Sequence, residues 1–111
     1  MAFNEALADR VRSLLGQRKG ITERRMFGGL SFLLNDNLCC GVVNDLLVLR
    51  LGEHGAAEAL AEPHTRLMDF TGKPMKSMVY VDPDGTKADD ALQGWVRRAV
   101  AYASSLPPKG D

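Results

Sequence analysis

Three short apolar segments follow one another between residues 30 and 51, and no interval between them is long enough for a helix. They run from Leu30 to Leu34, from Leu38 to Val43 and from Leu46 to Leu51, each with the length and composition of a β-strand. Asparagine and aspartate separate them, and both residue types tolerate the backbone of tight turns. Strands joined this closely pair antiparallel. The pattern therefore predicts a three-stranded meander, preceded by a fourth strand from Ile21 to Met26.

Both ends of the chain have the periodicity of amphipathic helices. Near the N-terminus, Asn4 is suited to cap a helix that ends between Gly16 and Gly20. Its apolar stripe consists of Phe3, Leu7, Val11, Leu14 and Leu15. Near the C-terminus, Thr86 and Asp89 resemble a capping box, and Pro107 ends the helix. The apolar face of that helix consists of Leu92, Trp95, Val96, Ala99, Val100, Ala103 and Leu106.

The middle of the chain has weaker signals. An alanine-rich stretch from Glu53 to Ala61 predicts a short helix stopped by Pro63. A loop should follow, and residues 77–81 predict one more strand before the turn that begins at Asp82. The strands come in a run rather than alternating with helices. The fold class is therefore α+β: an antiparallel sheet of four to five strands packed with an N-terminal helix, a short middle helix and a long C-terminal helix, in one domain over residues 1–111.

Composition and charge narrow the classes of function. Acidic and basic residues balance at 14 each, whereas a dedicated duplex-DNA binder is usually strongly basic. The first 25 residues nevertheless hold six basic and three acidic side chains. There is no apolar run of the roughly 20 residues that a membrane helix needs, and no secretion signal. We expect a cytoplasmic domain with no membrane association.

Cysteine and histidine offer one alternative chemistry. Cys39 and Cys40 are adjacent, and in a regular strand they would point to opposite faces, one buried and the other exposed or under a helix. A nucleophile pair would require His54 or His64 alongside. The spacing of these four residues does not match a zinc site, and no phosphate-binding glycine motif is present. We expect no metal and no cofactor.

The segment Arg24-Arg25-Met26-Phe27-Gly28-Gly29 is the first candidate binding site. Two arginines are donors suited to an anion or a partner protein, and paired glycines allow close approach of another group. The structural alternative is a strand that ends in a bulge, with Met26 and Phe27 in the core and the arginines in solvent.

The second candidate is the segment from Met68 to Lys76, which combines apolar anchors with Lys73 and Lys76 in a predicted loop. Its structural alternative is a loop whose apolar residues cover the core or the sheet edge. The two lysines would join Arg24 and Arg25 in one basic patch if the segments are neighbours.

With these segments in view, the chain resembles the N-terminal domain of the TfoX/Sxy family, regulators of natural competence. The resemblance is carried by the Arg24–Gly29 segment, by Asn37-Leu38-Cys39-Cys40-Gly41-Val42-Val43 and by Leu46-Leu47-Val48-Leu49-Arg50, and it continues from Met68 to Val81. It extends from about Leu7 to Tyr102. It implies an α+β sandwich and a non-enzymatic role in activating transcription of DNA-uptake genes through other regulators.

Full-length regulators of this family have a second, helical C-terminal domain, and this sequence ends at Asp111, so we expect a single-domain member. The leading hypothesis is a regulatory or protein-interaction module, with an unidentified protein partner. Self-association through an exposed edge strand from Leu46 to Leu51 is a further expectation. The alternatives are a nucleic-acid accessory protein that uses the basic N-terminal third with Lys73 and Lys76, and a small cysteine-dependent enzyme.

Overall fold

Six strands form one antiparallel sheet in the computed structural model, which describes residues 3–16, 18–26, 28–70 and 73–107, without the side chains of residues 70 and 73–75. The strands are β1 (Ile21–Met26), β2 (Gly29–Leu34), β3 (Asn37–Val43), β4 (Leu46–Arg50), β5 (Thr65–Phe70) and β6 (Lys73–Val81). Their order across the sheet is β1-β2-β3-β4-β6-β5. The meander over β1 to β4 is confirmed, and so is the α+β class.

Within the described residues, four helices accompany the sheet: α1 (Glu5–Leu15), α2 (Gly52–Ala59), α3 (Pro83–Thr86) and α4 (Asp89–Ser104). The side chain of Asn4 accepts a hydrogen bond from the Leu7 amide at 3.1 Å, as its predicted capping role requires. Gly16 closes α1 with φ of 62°, a backbone conformation that favours glycine. The predicted limits of the first helix are therefore confirmed.

The strand count of four to five was too low, because residues 65–70 and 73–76 belong to β5 and β6 rather than to a loop. The sequence indicated a loop because this stretch has few apolar residues. It also holds Pro74, and proline cannot donate a hydrogen bond within a sheet. β4 pairs only with the end of β6, from Met78 to Val81. Pro74 pairs with Asp69 of β5 beyond that contact, where β6 behaves as an edge and tolerates proline.

The predicted capping box at the start of α4 is also wrong. The helix begins at Asp89 after Ala88, which has no side-chain cap. Thr86 instead lies in α3, where its hydroxyl donates to the carbonyl of Pro83 at 3.2 Å. Where the sequence predicted a turn from Asp82, the structure has the single helical turn α3, with Pro83 at the favoured first position.

The main core lies between one face of the sheet and the helices. Packing contacts join α4 to β3, β4 and α1, while α2 covers β6. The buried residues of α4 are Leu92, Trp95, Val96, Ala99, Val100 and Ala103, which is the apolar face predicted for it apart from Leu106. The opposite face of the sheet has a smaller apolar cluster of Val48, Met68, Met78 and Tyr80.

Gly29 is a packing requirement of the sheet, and Gly94 provides its control. A Cβ atom on Gly29 would collide with the carbonyl oxygen of Val42 and with Val43, whereas one on Gly94 in α4 would meet nothing within 4 Å. We expect Gly29→Ala to lower the free energy of unfolding by roughly 2–4 kcal/mol. Gly94→Ala should raise it by about 0.5–1 kcal/mol through helix propensity. Urea unfolding measures both, and equal effects of the two substitutions would contradict this account.

Candidate functional site

β1 is an edge strand with an exposed surface. Within the described residues it pairs only with β2, and its four central residues, numbers 22–25, are exposed. Backbone donors and acceptors at a sheet edge remain available to another chain. β4, the strand predicted to form such an edge, lies instead between β3 and β6. The predicted self-association edge from Leu46 to Leu51 is therefore wrong, because β6 covers it.

The two arginines of β1 lie on opposite faces of the sheet. Arg24 pairs with Ser31 and Arg25 with Leu30, and neighbouring residues in a strand point to opposite sides. Arg25 lies on the helix side, where its guanidinium carbon is 5.5 Å from the centre of the Phe3 ring. The pair therefore cannot act as one fork around a single anion. Together the arginines provide a positive charge on each side of the edge.

The glycine pair has a structural explanation at both positions. Gly28 has φ of 73°, which favours glycine where the chain reverses from β1 to β2. Gly29 allows β2 to lie close to the backbone of β3. Met26 is half-buried. Phe27, the remaining residue of this candidate site, lies outside the described residues. β1 and β2 pair without a register shift, so the predicted bulge is not the reason for the glycines.

A cleft of about 230 Å³ separates α1 from β1 on the helix side. Arg12 reaches across it and forms two hydrogen bonds with the carboxylate of Glu23, at 2.6 and 2.9 Å. Arg12 also pairs with Asp9 on its own helix. Hydrogen bonding to Arg12 holds the pKa of Glu23 below its ordinary value of 4.5, against the opposing effect of burial. This ion pair ties the edge strand to α1.

Lys73 and Lys76 do not join the arginines of β1. Both lysines belong to β6, and the sheet order places β2, β3 and β4 between β1 and β6. At the usual spacing between strands this separation is roughly 19 Å across the sheet. Lys76 is exposed, while the side chain of Lys73 lies outside the description. The predicted single basic patch is therefore divided into two distant sites.

Both cysteines belong to the main core cluster, so the prediction that they point to opposite faces of the sheet is wrong. Phe32 pairs with Cys40 and Leu33 with Leu38, so that Cys39 is an extra residue in β3. Such a β-bulge interrupts the alternation of side chains, and each cysteine is 0% exposed. A hydrogen bond between the thiols raises the pKa of Cys40, and burial adds to this. The same bond lowers the pKa of Cys39 against the effect of burial.

The two histidines have contacts with residues other than the cysteines. On α2, His54 lies 3.5 Å from the carboxylate of Glu58 and is 90% exposed. The carbonyl of His64 accepts a hydrogen bond from the Asp82 amide. Among the residues that the structure describes, no group of three or more histidine, cysteine or acidic side chains is placed to hold a metal ion. No helix in that part of the chain is long and apolar enough to cross a membrane.

Three residues that contribute to the surface around β1 were not identified from the sequence: Phe3, Arg12 and Glu23. Their side chains meet only when α1 packs beside the strand, and the sequence signals for the helix and for the strand are separate. Helical spacing does place Asp9 and Arg12 on one side of α1. No local pattern indicates that Glu23 is the second partner of Arg12.

Fold and surface together define a small α+β domain with a helical layer on one face of an antiparallel sheet and a charged edge strand. A scan against protein-family models matches the TfoX N-terminal domain over residues 13–103. A search of the curated proteins finds no match. The family match covers most of the 111 residues, and the chain belongs to the TfoX N-terminal domain family. The resemblance expected from sequence is thereby confirmed.

The Arg12–Glu23 ion pair predicts a specific dependence of stability on pH. Because the pKa of Glu23 is lower in the folded chain than its ordinary value, the stabilisation is complete above about pH 4.5. It is lost as pH falls through the lower, folded-state value. Both side chains are more than one third exposed, which limits the effect to under about 1 kcal/mol.

We expect Glu23→Gln to lower the free energy of unfolding by about 0.5 kcal/mol at pH 7 and by less at pH 3, where the lowered pKa of Glu23 is approached. Urea unfolding at the two pH values provides the comparison. The control is Glu53→Gln on α2, an exposed carboxylate with no ion pair among the described residues. A Glu23→Gln deficit that persists unchanged at pH 3 would show that the ion pair is not its cause.

Proposed function

We propose that this chain is a non-enzymatic regulatory domain of the cytoplasm that acts by binding a protein through the edge of β1. The observation that carries the proposal is an exposed edge strand with Arg24 and Arg25 on its two faces. An extended segment of a partner can add to such an edge through backbone hydrogen bonds. The family match supports a regulatory role linked to transcriptional control of competence.

The chemistry of the edge favours an extended partner segment with acidic residues. Backbone pairing supplies affinity without selecting a sequence, whereas side chains beside the strand select the partner. Arg24 and Arg25 are exposed and suited to carboxylates. A second copy of the chain could also pair at this edge, and light scattering over a range of concentrations distinguishes self-association from binding of a different protein.

The structure weakens support for the nucleic-acid alternative. In the basic N-terminal third, Arg10 pairs with Asp89 and Arg12 with Glu23, which reduces the charge available to phosphates. Lys76 lies far across the sheet from β1. Support for the cysteine-dependent enzyme is weaker still, because a buried thiol is a poor nucleophile for an external substrate.

Capture of partners from the cells of origin tests the proposal. We expect a stoichiometric protein with the tagged wild-type chain, and at least a tenfold lower yield with Arg24→Ala/Arg25→Ala. That loss corresponds to about 1.4 kcal/mol. The matched control is Lys76→Ala/Lys87→Ala, which also removes two exposed positive charges but lies outside β1.

Each other outcome contradicts the proposal. A partner lost only in the lysine variant would assign binding to a surface outside β1, and a partner retained by both variants would exclude the β1 arginines. Recovery of nucleic acid alone, with an amount that falls steeply as salt is added, would favour the phosphate-binding alternative.

A further inference from the structure

A second cleft lies between α1 and α4, on the helical side of the molecule. It has a volume of about 150 Å³. Its lining residues are Leu14, Arg18, Gln93, Val96, Arg97 and Val100. Val96 and Val100 are 3% and 7% exposed and Leu14 is half-buried, so these residues form an apolar floor. Arg18 and Arg97 are exposed and belong to its rim.

These two arginines differ from most others in the chain. Arg10, Arg12, Arg66 and Arg98 each lie within 4 Å of a carboxylate. Arg25 and Arg50 lie instead against the rings of Phe3 and Tyr102.

Within the described residues, only Arg18, Arg24 and Arg97 have neither kind of neighbour. Two of these three line the same cleft, and no acidic side chain lines it with them. Two like charges in one cleft repel each other, and a bound anion relieves that repulsion.

The size of the cleft indicates what kind of anion it accepts. Pockets for cofactors and drug-sized ligands usually measure about 300–1,000 Å³, so this one suits a single side chain. Guanidinium groups bind carboxylates with two parallel hydrogen bonds. The apolar floor suits the methylene groups of a longer acidic side chain. The balanced charge of the whole chain argues against nucleic acid, which favours an extensive basic surface.

We propose that the α1–α4 cleft binds a glutamate side chain of a protein partner, with Arg18 and Arg97 as donors to its carboxylate. The inference rests on the proposed protein-binding function and adds a second recognition point, distinct from the β1 edge. Gln93, on the same rim, supplies an amide that can donate to the carboxylate or accept from the backbone of the partner.

Titration of the isotope-labelled full chain by NMR tests the cleft without knowledge of the partner. The probes are an acetylated and amidated Leu-Glu-Leu peptide, the matched Leu-Gln-Leu peptide, inorganic phosphate and a short DNA duplex. We expect saturable shifts of the Gln93 side-chain amide and of the Arg18 and Arg97 Nε resonances with the glutamate peptide. Affinity for the glutamine peptide should be at least tenfold lower.

Variants separate the arginines from general charge effects. Arg18→Ala and Arg97→Ala should each lower the affinity for the glutamate peptide at least fivefold. Arg97→Lys should lower it by less, because lysine keeps the positive charge but cannot form two parallel hydrogen bonds with a carboxylate. The control is Lys87→Ala, whose side chain is 81% exposed and outside the cleft; it should bind as the wild type does. A dispersed amide spectrum verifies that each variant is folded.

Several results would overturn the inference: no saturable shift, equal binding of the two peptides, or tighter binding of phosphate or DNA than of the glutamate peptide. Failure here is distinguishable from failure of the proposed function. If a captured partner depends on Arg24 and Arg25 but the cleft binds no glutamate peptide, only this inference is removed. Glutamate binding with no captured protein removes the β1 proposal and leaves the cleft as a carboxylate site.

Discussion

The contact between α4 and the centre of the sheet buries the only tryptophan of the chain. The positions of α1 and of the clefts beside it depend on this contact. Trp95 and its apolar neighbours on α4 pack over β3 and β4, and each leucine or valine among them contributes roughly 1.5–3 kcal/mol when fully buried. α1 packs against α4 as well as against β3. The positions of Phe3 and Arg12 beside β1, and the shape of the cleft at Arg18, therefore depend on where α4 lies.

The arrangement of arginines explains how a chain with no net charge presents local positive sites. Arg10 connects α1 to the start of α4 through Asp89 and the carbonyl of Thr86. Arg98 connects α4 to Glu62 and lies 4.6 Å from the centre of the Trp95 ring. These guanidinium groups serve the fold. The arginines of the β1 edge and of the α1–α4 cleft are the ones that we propose for recognition, and such isolated positions suit individual carboxylates better than a continuous polyanion.

Most of the fold was predictable because its local signals agree with its packing. Asn35, Asp36 and Asn44 have positive φ, which is the conformation that their composition indicated for the turns of the meander. Two of the departures have a common cause in the pairing between strands. Pro74 is compatible with β6 only because β4 ends before reaching it, and the bulge at Cys39 appears only when β2 is laid beside β3. The same reason explains why the candidate arginines and lysines could be named from sequence but not placed together.

The position of β6 between β4 and β5 divides the assembly of the sheet into two parts. Among themselves, β1 to β4 pair with their neighbours along the chain, and β5 and β6 form a local hairpin. The pairing of β4 with β6, in which Leu47 meets Val81, joins residues far apart along the chain. It therefore has the largest entropic cost of loop closure among the strand pairings of the sheet. That step also brings Val48 together with Met68 and Tyr80. This seam between the hairpin and the meander therefore has the greatest sequence separation of any strand pairing in the sheet, and such non-local pairing is what slows the folding of a sheet.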